Sequence, residues 1–369
     1  MLAFIAPFYN CSIRLPQLHD RTVLDSGSDT LVINSRLSES LGLKFDGKTI
    51  VGGAGEKTVE AGRATGVSFQ LPGITVSGLT VTVLPLDDIE ADAGRTVDGI
   101  IGYPLFSRYV VEIDFASHIV NLYEPKNYQY SGTGERIPIT LEYNHPHAQA
   151  KISLSKGAAP IEAKLLIDTG AVSMAAILNT PFVESHQLLK IALKVLPVPV
   201  GQGMGGEVKL LIARAQAIQL GRFQFSPPVI GLFQDKKGFG ASEDINGLIG
   251  NEILRRFKVI FDYSRQEMIL EPNAQIADAY EYAMSGLRLR AEGKDFKTFK
   301  IYRIAKNSPA ADAGLREGDI IEAIDDNAAG SLTLPQIYQM FKQENREYDL
   351  SIIRSKEKLQ VKMKLWRLI

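Results

Sequence analysis

Val23-Leu24-Asp25-Ser26-Gly27-Ser28 is the most informative stretch of the sequence, and a close variant recurs as Leu166-Ile167-Asp168-Thr169-Gly170-Ala171. In each copy a hydrophobic run stops at an aspartate, which is followed by a hydroxyl residue and then by glycine. A run of this kind predicts a buried strand, and the glycine lets the backbone turn tightly behind the aspartate. We therefore predict that two halves of the chain face each other so that Asp25 and Asp168 meet.

The two aspartate turns belong to an internal repeat that covers residues 23–125 and 165–272. In each half, the turn is followed by a helix-prone segment, a glycine-rich element, alternating strands, a second apolar run and a closing hairpin. Matching positions lie 143 residues apart at the aspartates and 148 apart at the second apolar runs, Asp98–Gly102 and Asn246–Gly250. Such near-constant offsets imply duplication. The short alternating strands and glycine turns predict a mostly β architecture with two pseudo-symmetric lobes.

The length of 369 residues predicts two or three domains. We expect a first lobe over residues 1–125 and a second lobe over residues 126–272, whose turn-rich start connects the two. Residues 273–285 are alanine-rich and predict a helical linker. A third, α+β unit follows over residues 286–369.

The composition excludes several function classes. With a formal net charge of -1, the chain has no electrostatic case for binding nucleic acid or an anionic membrane surface. No apolar stretch approaches the roughly 20 residues of a spanning helix, so we predict no membrane span. A single cysteine, Cys11, excludes an internal disulfide.

Paired carboxyl groups are the chemistry that the two turns predict. Two carboxyl groups within hydrogen-bonding reach cannot both ionise easily, so one can act as a base on water while the other acts as an acid. We expect Ser26 and Thr169 to hydrogen-bond across the junction, and Gly27 and Gly170 to permit close approach. The alternative is that both aspartates are ordinary turn residues of a two-lobed β protein.

These motifs resemble the aspartic proteases. The Asp-Ser-Gly-Ser turn has the form found in two-lobed pepsin-like enzymes, and the Asp-Thr-Gly-Ala turn has the form found in retroviral-type enzymes. Ile100–Gly102 and Leu248–Gly250 match the family's second signature, which packs behind the catalytic turn. The resemblance covers residues 12–272 and implies two retropepsin-like β-barrel lobes, with Asp25 and Asp168 as the catalytic pair.

Two glycine-rich elements resemble the flaps of this family, the β-hairpins that close over a bound peptide. They are residues 51–56, with Gly52, Gly53 and Gly55, and residues 200–207, with Gly201, Gly203, Gly205 and Gly206. Neither contains the tyrosine of a pepsin-like flap, so the site resembles the retroviral type. Ordinary hairpin turns are the alternative. The second element also fits G-x-G-x-x-G, but a dinucleotide site needs a following helix, and residues 207–213 favour a strand.

The two turns differ at one position. Ser28 could donate a hydrogen bond toward the first carboxylate, whereas Ala171 cannot donate to the second. Fewer donors stabilise the ionised pair less, so its pKa falls less. We therefore predict a mildly acidic pH optimum.

The third unit contains Ser308-Pro-Ala-Ala-Asp-Ala-Gly-Leu-Arg-Glu-Gly-Asp-Ile-Ile321, which resembles the PDZ domains of bacterial proteases. A strand over residues 296–304 and a helix over residues 333–341 fit this resemblance. PDZ domains add an extended peptide to a sheet edge and capture its C-terminal carboxylate on backbone N–H groups. Gly286-Leu287-Arg288-Leu289 is the candidate loop, although it departs from Gly-Leu-Gly-Phe at its last two positions. The alternative is that the unit only docks on the lobes.

Two histidines, His145 and His147, lie two residues apart and are candidate metal ligands. A metal site needs three or four ligands, and no third ligand is evident. A loop at the start of a strand is the preferred interpretation. We expect neither a metal nor a cofactor.

Taken as a whole, the chain resembles a bacterial retroviral-type aspartyl protease that is duplicated within one polypeptide and followed by a PDZ domain. The resemblance implies an endopeptidase acting on polypeptides, with a PDZ unit that recruits substrate or regulates access and takes a C-terminal peptide. Both aspartates lie on one chain, so the active site is complete without dimerisation. The rivals are an inactive peptide-binding scaffold and a regulatory sensor with the same fold.

The N-terminal segment bears on location. Residues 1–10, MLAFIAPFYN, have no basic region and only a short apolar run, so they make a poor signal peptide. The family resemblance implies a periplasmic or secreted protein. One interpretation is that the natural protein has an export signal that this sequence lacks, and a cytoplasmic location stays open.

Overall fold

The computed structural model describes residues 21–71, 74–191 and 194–369, and within them the chain is mostly β, as predicted. Four sheets are formed: one in each lobe, one that joins the lobes and one in the third unit. In these ranges no helix has the length and apolar character needed to cross a bilayer. Cys11 and the N-terminal segment lie outside the described residues.

The first lobe is built around one mixed sheet. Its strands are β1 (Thr22–Leu24), β2 (Leu31–Asn34), β3 (Gly47–Val51), β4 (Val59–Leu71), β5 (Ile74–Leu84) and β6 (Gly99–Ile101). Its helices are α1 (Ser35–Ser40), α2 (Asp87–Ala93) and α3 (Tyr103–Phe106), and its closing hairpin is β7 (Val110–Asp114) with β8 (Ile119–Tyr123). The sheet order is β1-β6-β2-β5-β4-β3.

The second lobe repeats this arrangement. Its strands are β9 (Glu135–Pro138), β10 (Thr140–Glu142), β11 (His145–Ser153), β12 (Ile161–Ile167), β13 (Ala176–Leu178), β14 (Val195–Gly203), β15 (Gly206–Arg214), β16 (Ala217–Leu220), β17 (Phe223–Phe225), β18 (Val229–Phe233), β19 (Gly247–Ile249), β20 (Phe257–Asp262) and β21 (Glu267–Pro272). Its helices are α4 (Thr180–Ser185), α5 (Leu188–Ile191) and α6 (Asn251–Leu254). The turn-rich start of this lobe therefore contains two strands that the sequence interpretation did not separate from the connection.

The same strand crossing places the aspartate turn in both lobes. β1 runs parallel to β6, and β12 runs parallel to β19. The Asp25 N–H donates to the Ile101 carbonyl at 2.9 Å, and the Asp168 N–H donates to the Ile249 carbonyl at 3.0 Å. Each second apolar run therefore lies directly beside the strand that ends in an aspartate, as the repeat predicts.

A five-stranded sheet joins the lobes in the order β8-β7-β20-β21-β9. Its central contact is the antiparallel pair of β7 from the first lobe and β20 from the second. The closing hairpins of the repeat thus form one continuous sheet. This sheet fixes the orientation of the lobes because its backbone hydrogen bonds cross the lobe boundary.

The prediction of a helix over residues 273–285 is wrong: the segment consists of turns and extended chain. The alanines of this segment favour a helix. Instead, the buried side chain of Arg256, in the second lobe, hydrogen-bonds to backbone carbonyl groups of the segment. Arg256 is 1% exposed and lies 3.9 Å from the ring centroid of Tyr280. Its guanidinium group donates hydrogen bonds to the carbonyl groups of Gln275, Ile276 and Asp278. Tertiary contacts therefore override the local helix preference.

The third unit has its own sheet and its own hydrophobic core. Its strands are β22 (Leu287–Glu292), β23 (Thr298–Ile304), β24 (Ile320–Ile324), β25 (Asn327–Ala328), β26 (Glu347–Arg354) and β27 (Glu357–Lys364), and its helices are α7 (Pro309–Asp312) and α8 (Leu334–Met340). The strand and the helix expected from the sequence correspond to β23 and α8. β22 is one edge strand of this sheet, and both α8 and α2 of the first lobe pack against it.

We predict that Arg256→Leu lowers the free energy of unfolding by about 2–4 kcal/mol, because it leaves buried carbonyl groups without donors and removes the cation–π contact. Urea unfolding measures the loss, and hydrogen exchange is expected to rise within residues 273–282. The control is Arg222→Leu, whose side chain is 57% exposed above Phe223 and should change stability by less than about 0.5 kcal/mol. Equal losses in the two variants would contradict the anchoring role of Arg256.

Candidate active site

The two aspartates meet at the junction of the lobes. Their carboxyl groups are hydrogen-bonded to each other, Asp168 being buried and Asp25 half-buried. The Gly27 N–H donates to Asp25 Oδ1 at 2.8 Å, and the Gly170 N–H donates to Asp168 Oδ1 at 2.7 Å. A Cβ atom on Gly27 would lie 2.7 Å from the Asp168 Cγ atom, and one on Gly170 would lie 2.6 Å from the Asp25 Cγ atom. Glycine is therefore required in each lobe so that the carboxyl group of the other lobe can approach.

Four hydrogen bonds lock the two turns together. The Ser26 N–H donates to Thr169 Oγ1 at 2.9 Å, and the Thr169 N–H donates to Ser26 Oγ at 3.0 Å. Ser26 Oγ donates onward to the Ile167 carbonyl at 2.7 Å, and Thr169 Oγ1 donates to the Leu24 carbonyl at 2.9 Å. Both side chains are 1% exposed, and these bonds satisfy each hydroxyl within the buried junction. The cross-junction bonds expected from the sequence are present.

The second apolar runs support the turns from behind. The Tyr103 N–H donates to the Ser28 carbonyl at 2.8 Å, and the Asn251 N–H donates to the Ala171 carbonyl at 2.6 Å. A Cβ atom on Gly102 would lie 2.1 Å from the Ser28 carbonyl oxygen. The glycine that ends the run is therefore required because the aspartate turn packs directly against its backbone.

The structure corrects the expected role of Ser28. Its Oγ atom donates to the Thr30 carbonyl at 3.1 Å rather than toward the carboxylate. The two halves differ through burial instead. Burial raises the pKa of Asp25, while the hydrogen bond from Asp168 opposes this rise. Burial and then the negative charge of Asp25 raise the pKa of Asp168 well above its usual range, so the pair retains one proton.

The two glycine-rich elements are the tips of facing hairpins, β3–β4 and β14–β15, which we call the first and second flaps. The Lys57 N–H of the first flap donates to the Gly205 carbonyl of the second at 3.0 Å. A Cβ atom on Gly53 would lie 2.8 Å from the Met204 Cβ atom. The remaining glycines of the flaps lie in the loop of the first (Gly52, Gly55) and in the strands of the second (Gly201, Gly203, Gly206). The flap tips therefore touch each other across the lobe boundary.

A cavity of about 320 Å³ lies between the aspartates and the flaps. Its walls are mainly apolar and include Val32, Ile100, Phe233 and Leu248. A concave, largely apolar site with a few converging polar groups is the usual form of a ligand site. The cavity has the surroundings needed to hold the side chains of an extended peptide beside the carboxyl pair.

His145 and His147 line this cavity, a placement that the sequence interpretation missed. They begin β11, which follows a two-residue hairpin turn, Tyr143–Asn144, with positive φ at both residues. His147 is 4% exposed, and its Nδ1 atom has no hydrogen-bond partner among the described residues. The charge of His145 acts to lower the pKa of Asp25. Two-residue hairpin patterns can be read from sequence, but the side on which this hairpin packs depends on the tertiary fold.

Among the described residues, no group of three acidic, histidine or cysteine side chains could hold a metal.

The candidate carboxylate loop of the third unit is closed by its own hydroxyl groups. The Leu287 N–H donates to Ser285 Oγ at 3.2 Å, and the Leu289 N–H donates to the Tyr338 hydroxyl of α8 at 2.9 Å. Arg288 is ion-paired with Asp92 of α2 in the first lobe. Gly286 supplies the left-handed turn with φ of 73° that leads into β22. A ligand carboxylate would therefore have to displace internal partners.

We predict that Thr169→Val lowers the free energy of unfolding by about 2–4 kcal/mol, because the Ser26 N–H and the Leu24 carbonyl lose their buried partner. Chemical denaturation of the full chain measures this change. Thr22→Val is the matched control, since Thr22 is 2% exposed and its hydroxyl has no partner among the described residues. The control should be neutral or stabilising. A similar cost for both variants would show that the cross-junction bonds contribute nothing particular.

Comparisons with known proteins agree with the architecture. Residues 17–105 match the family model for aspartyl proteases, and residues 284–365 match the model for PDZ domains. Among solved structures, a photosystem II D1 C-terminal processing protease has 20% identity and a TM-score of 0.22, covering 25% of this chain and 26% of that chain. An HtrA-type protease with a decapeptide has 12% identity and a TM-score of 0.26, covering 59% of this chain and 58% of that chain.

These TM-scores are too low for either likeness to carry an argument, and the chain spans only about a quarter and somewhat over half of the two proteins. No curated protein matches the chain. The family models thus support a peptidase. The chain is similar to aspartyl proteases in its first lobe and to PDZ domains in its third unit, which confirms the resemblance found in its sequence.

Proposed function

We propose that this chain is an aspartic endopeptidase of the retropepsin-like type, with both catalytic aspartates on one polypeptide. The observation that carries the proposal is the pair Asp25 and Asp168, hydrogen-bonded to each other beneath two touching flaps. A carboxyl pair that shares one proton supplies a base and an acid at the same point. The reciprocal bonds of Ser26 and Thr169 hold this geometry without help from a second chain.

The proposed reaction starts with Asp25 ionised and Asp168 protonated. A water held between them attacks the peptide carbonyl carbon, passing one proton to Asp25, while Asp168 gives its proton to the carbonyl oxygen. In the resulting tetrahedral diol, Asp25 protonates the amide nitrogen and the C–N bond breaks. One hydroxyl of the diol returns its proton to Asp168. The products are a carboxylic acid and an amine, and the pair regains its starting protonation state.

The substrate of this reaction is an extended polypeptide. The flaps exclude solvent from the cavity when their tips are in contact, so they must separate to admit a chain and close again for the reaction. The PDZ unit is assigned a role in binding peptide beside β22, an edge strand of its sheet against which α2 of the first lobe also packs. The internal partners on its carboxylate loop make that binding dependent on a rearrangement.

We predict that Asp25→Asn and Asp168→Asn each lower kcat/KM by at least about 1000-fold, because either substitution removes the shared acid and base. Cleavage of a peptide library, with and without pepstatin, measures the loss. Asp114→Asn is the control, since Asp114 lies in the closing hairpin of the first lobe and accepts hydrogen bonds from the N–H groups of its own turn. Full activity in either dyad variant would overturn the assignment, and no cleavage by the unaltered chain would favour a peptide-binding scaffold.

We also predict a mildly acidic optimum, because burial raises the pKa of both aspartates. The acid limb of kcat/KM against pH is expected above the ordinary aspartate value of about 3.9. His145→Gln removes a charge that lowers the pKa of Asp25, so the acid limb should move to higher pH. His118→Gln, on the exposed turn between β7 and β8, should leave the profile unchanged. A limb that stays in place, or moves to lower pH, in the His145 variant would contradict this electrostatic contact.

A further inference from the structure

One acidic side chain of the second flap, Glu207, is bound by the third unit. Glu207 lies in β15, next to the turn that forms the tip of the flap. The Tyr302 hydroxyl of β23 donates to Glu207 Oε1 at 2.5 Å, and the neighbouring Arg303 guanidinium group lies 3.2 Å from the same oxygen. The hydrogen bond from Tyr302 and the charge of Arg303 lower the pKa of Glu207, so the side chain is a carboxylate at the pH of the proposed reaction.

This contact is positioned to control access to the cavity. Glu207 is three residues from Met204, which packs against Gly53 of the first flap and also lines the cavity. Binding of Glu207 to β23 restrains the second flap, because β15, which carries Glu207, is hydrogen-bonded to β14 along the hairpin. Opening of the cleft by movement of the second flap therefore requires this contact to break.

The partners on the third unit are themselves held by charged groups. The Tyr302 ring lies under two guanidinium groups, that of Arg290 at 3.8 Å and that of Arg303 at 4.2 Å from its centroid. Arg290 pairs in turn with Asp88 at 3.1 Å and with Asp92 at 3.3 Å, both on α2 of the first lobe. The same cluster of side chains on the PDZ unit thus contacts both α2 and the second flap.

The free energy of this contact is large enough to favour the closed position of the flap and small enough for the contact to break. The Glu207 side chain is 53% exposed and that of Arg303 is 32% exposed, so water can replace either partner. Exposed ion pairs contribute little free energy, whereas a hydrogen bond to a charged acceptor contributes more. A contact of this size changes the population of the closed flap without locking it permanently.

We propose that Glu207 is a positioning residue through which the PDZ unit holds the second flap closed, so that the unit limits the rate at which polypeptide enters the cleft. This inference rests on the proposed function, since it assigns a regulator to the same site. We call the contact of Glu207 with Tyr302 and Arg303 the latch. Both of these partners lie on β23. The latch residues touch neither aspartate, so their removal leaves the chemical step intact.

The latch can be tested without enzyme activity in the Asp25→Asn background. Glu207→Gln and Tyr302→Phe are each expected to raise hydrogen exchange in residues 203–208 about threefold to tenfold. The matched control is Glu60→Gln, because Glu60 lies on β4 of the first flap and pairs only with Lys48 of the same hairpin among the described residues. Unchanged exchange in both latch variants would overturn the inference, whatever the chain proves to catalyse.

A second measurement uses the active chain. Glu207→Gln should raise the association rate of pepstatin and lower KM by a similar threefold to tenfold factor, with kcat little changed. The exchanged pair Glu207→Arg with Arg303→Glu should restore slow association, which loss of folding or of general stability would not do. A Glu207→Gln variant whose kcat falls while its association rate stays the same would refute the latch but leave the aspartic mechanism standing.

Discussion

The two lobes can place their carboxyl groups together only because each offers a bare glycine backbone where the other places an aspartate. Gly27 lies against Asp168, and Gly170 lies against Asp25, at distances that no Cβ atom could occupy. The reciprocal bonds between Ser26 and Thr169 then remove the remaining freedom of the two turns. The elements further out, from the second apolar runs to the sheet that joins the lobes, support this close approach of two buried carboxyl groups.

Burial makes the approach chemically useful. Removing water from around two adjacent carboxyl groups disfavours the doubly ionised state, so one proton is retained and the pair presents a base beside an acid. Asp168 is the more buried of the two aspartates, although the sequences of the two turns are nearly equivalent. The flap tips meet beside the cavity, and the second flap also contacts the PDZ unit through Glu207.

Much of the architecture could be predicted from short-range patterns. The repeated Asp turns, the second apolar runs, the flap glycines and the strand and helix of the third unit all depend on local backbone requirements, which the sequence expresses directly. Predictions failed where a distant side chain overrode a local preference. Arg256 prevents the alanine-rich linker from forming a helix, and the Thr30 carbonyl takes the hydroxyl of Ser28 that was expected at the carboxylate.

The repeated strand–turn pattern, with a glycine behind each aspartate, was enough to predict from the sequence that the two aspartate turns face each other. The sequence pattern also indicated the kind of unit that follows the lobes. The greater burial of Asp168, the placement of His145 and His147 in the cleft and the contact of Tyr302 with Glu207 became visible in the folded chain. The physical reason is that burial, electrostatic potential and contacts between units arise from residues far apart in the chain, whose proximity no local pattern encodes.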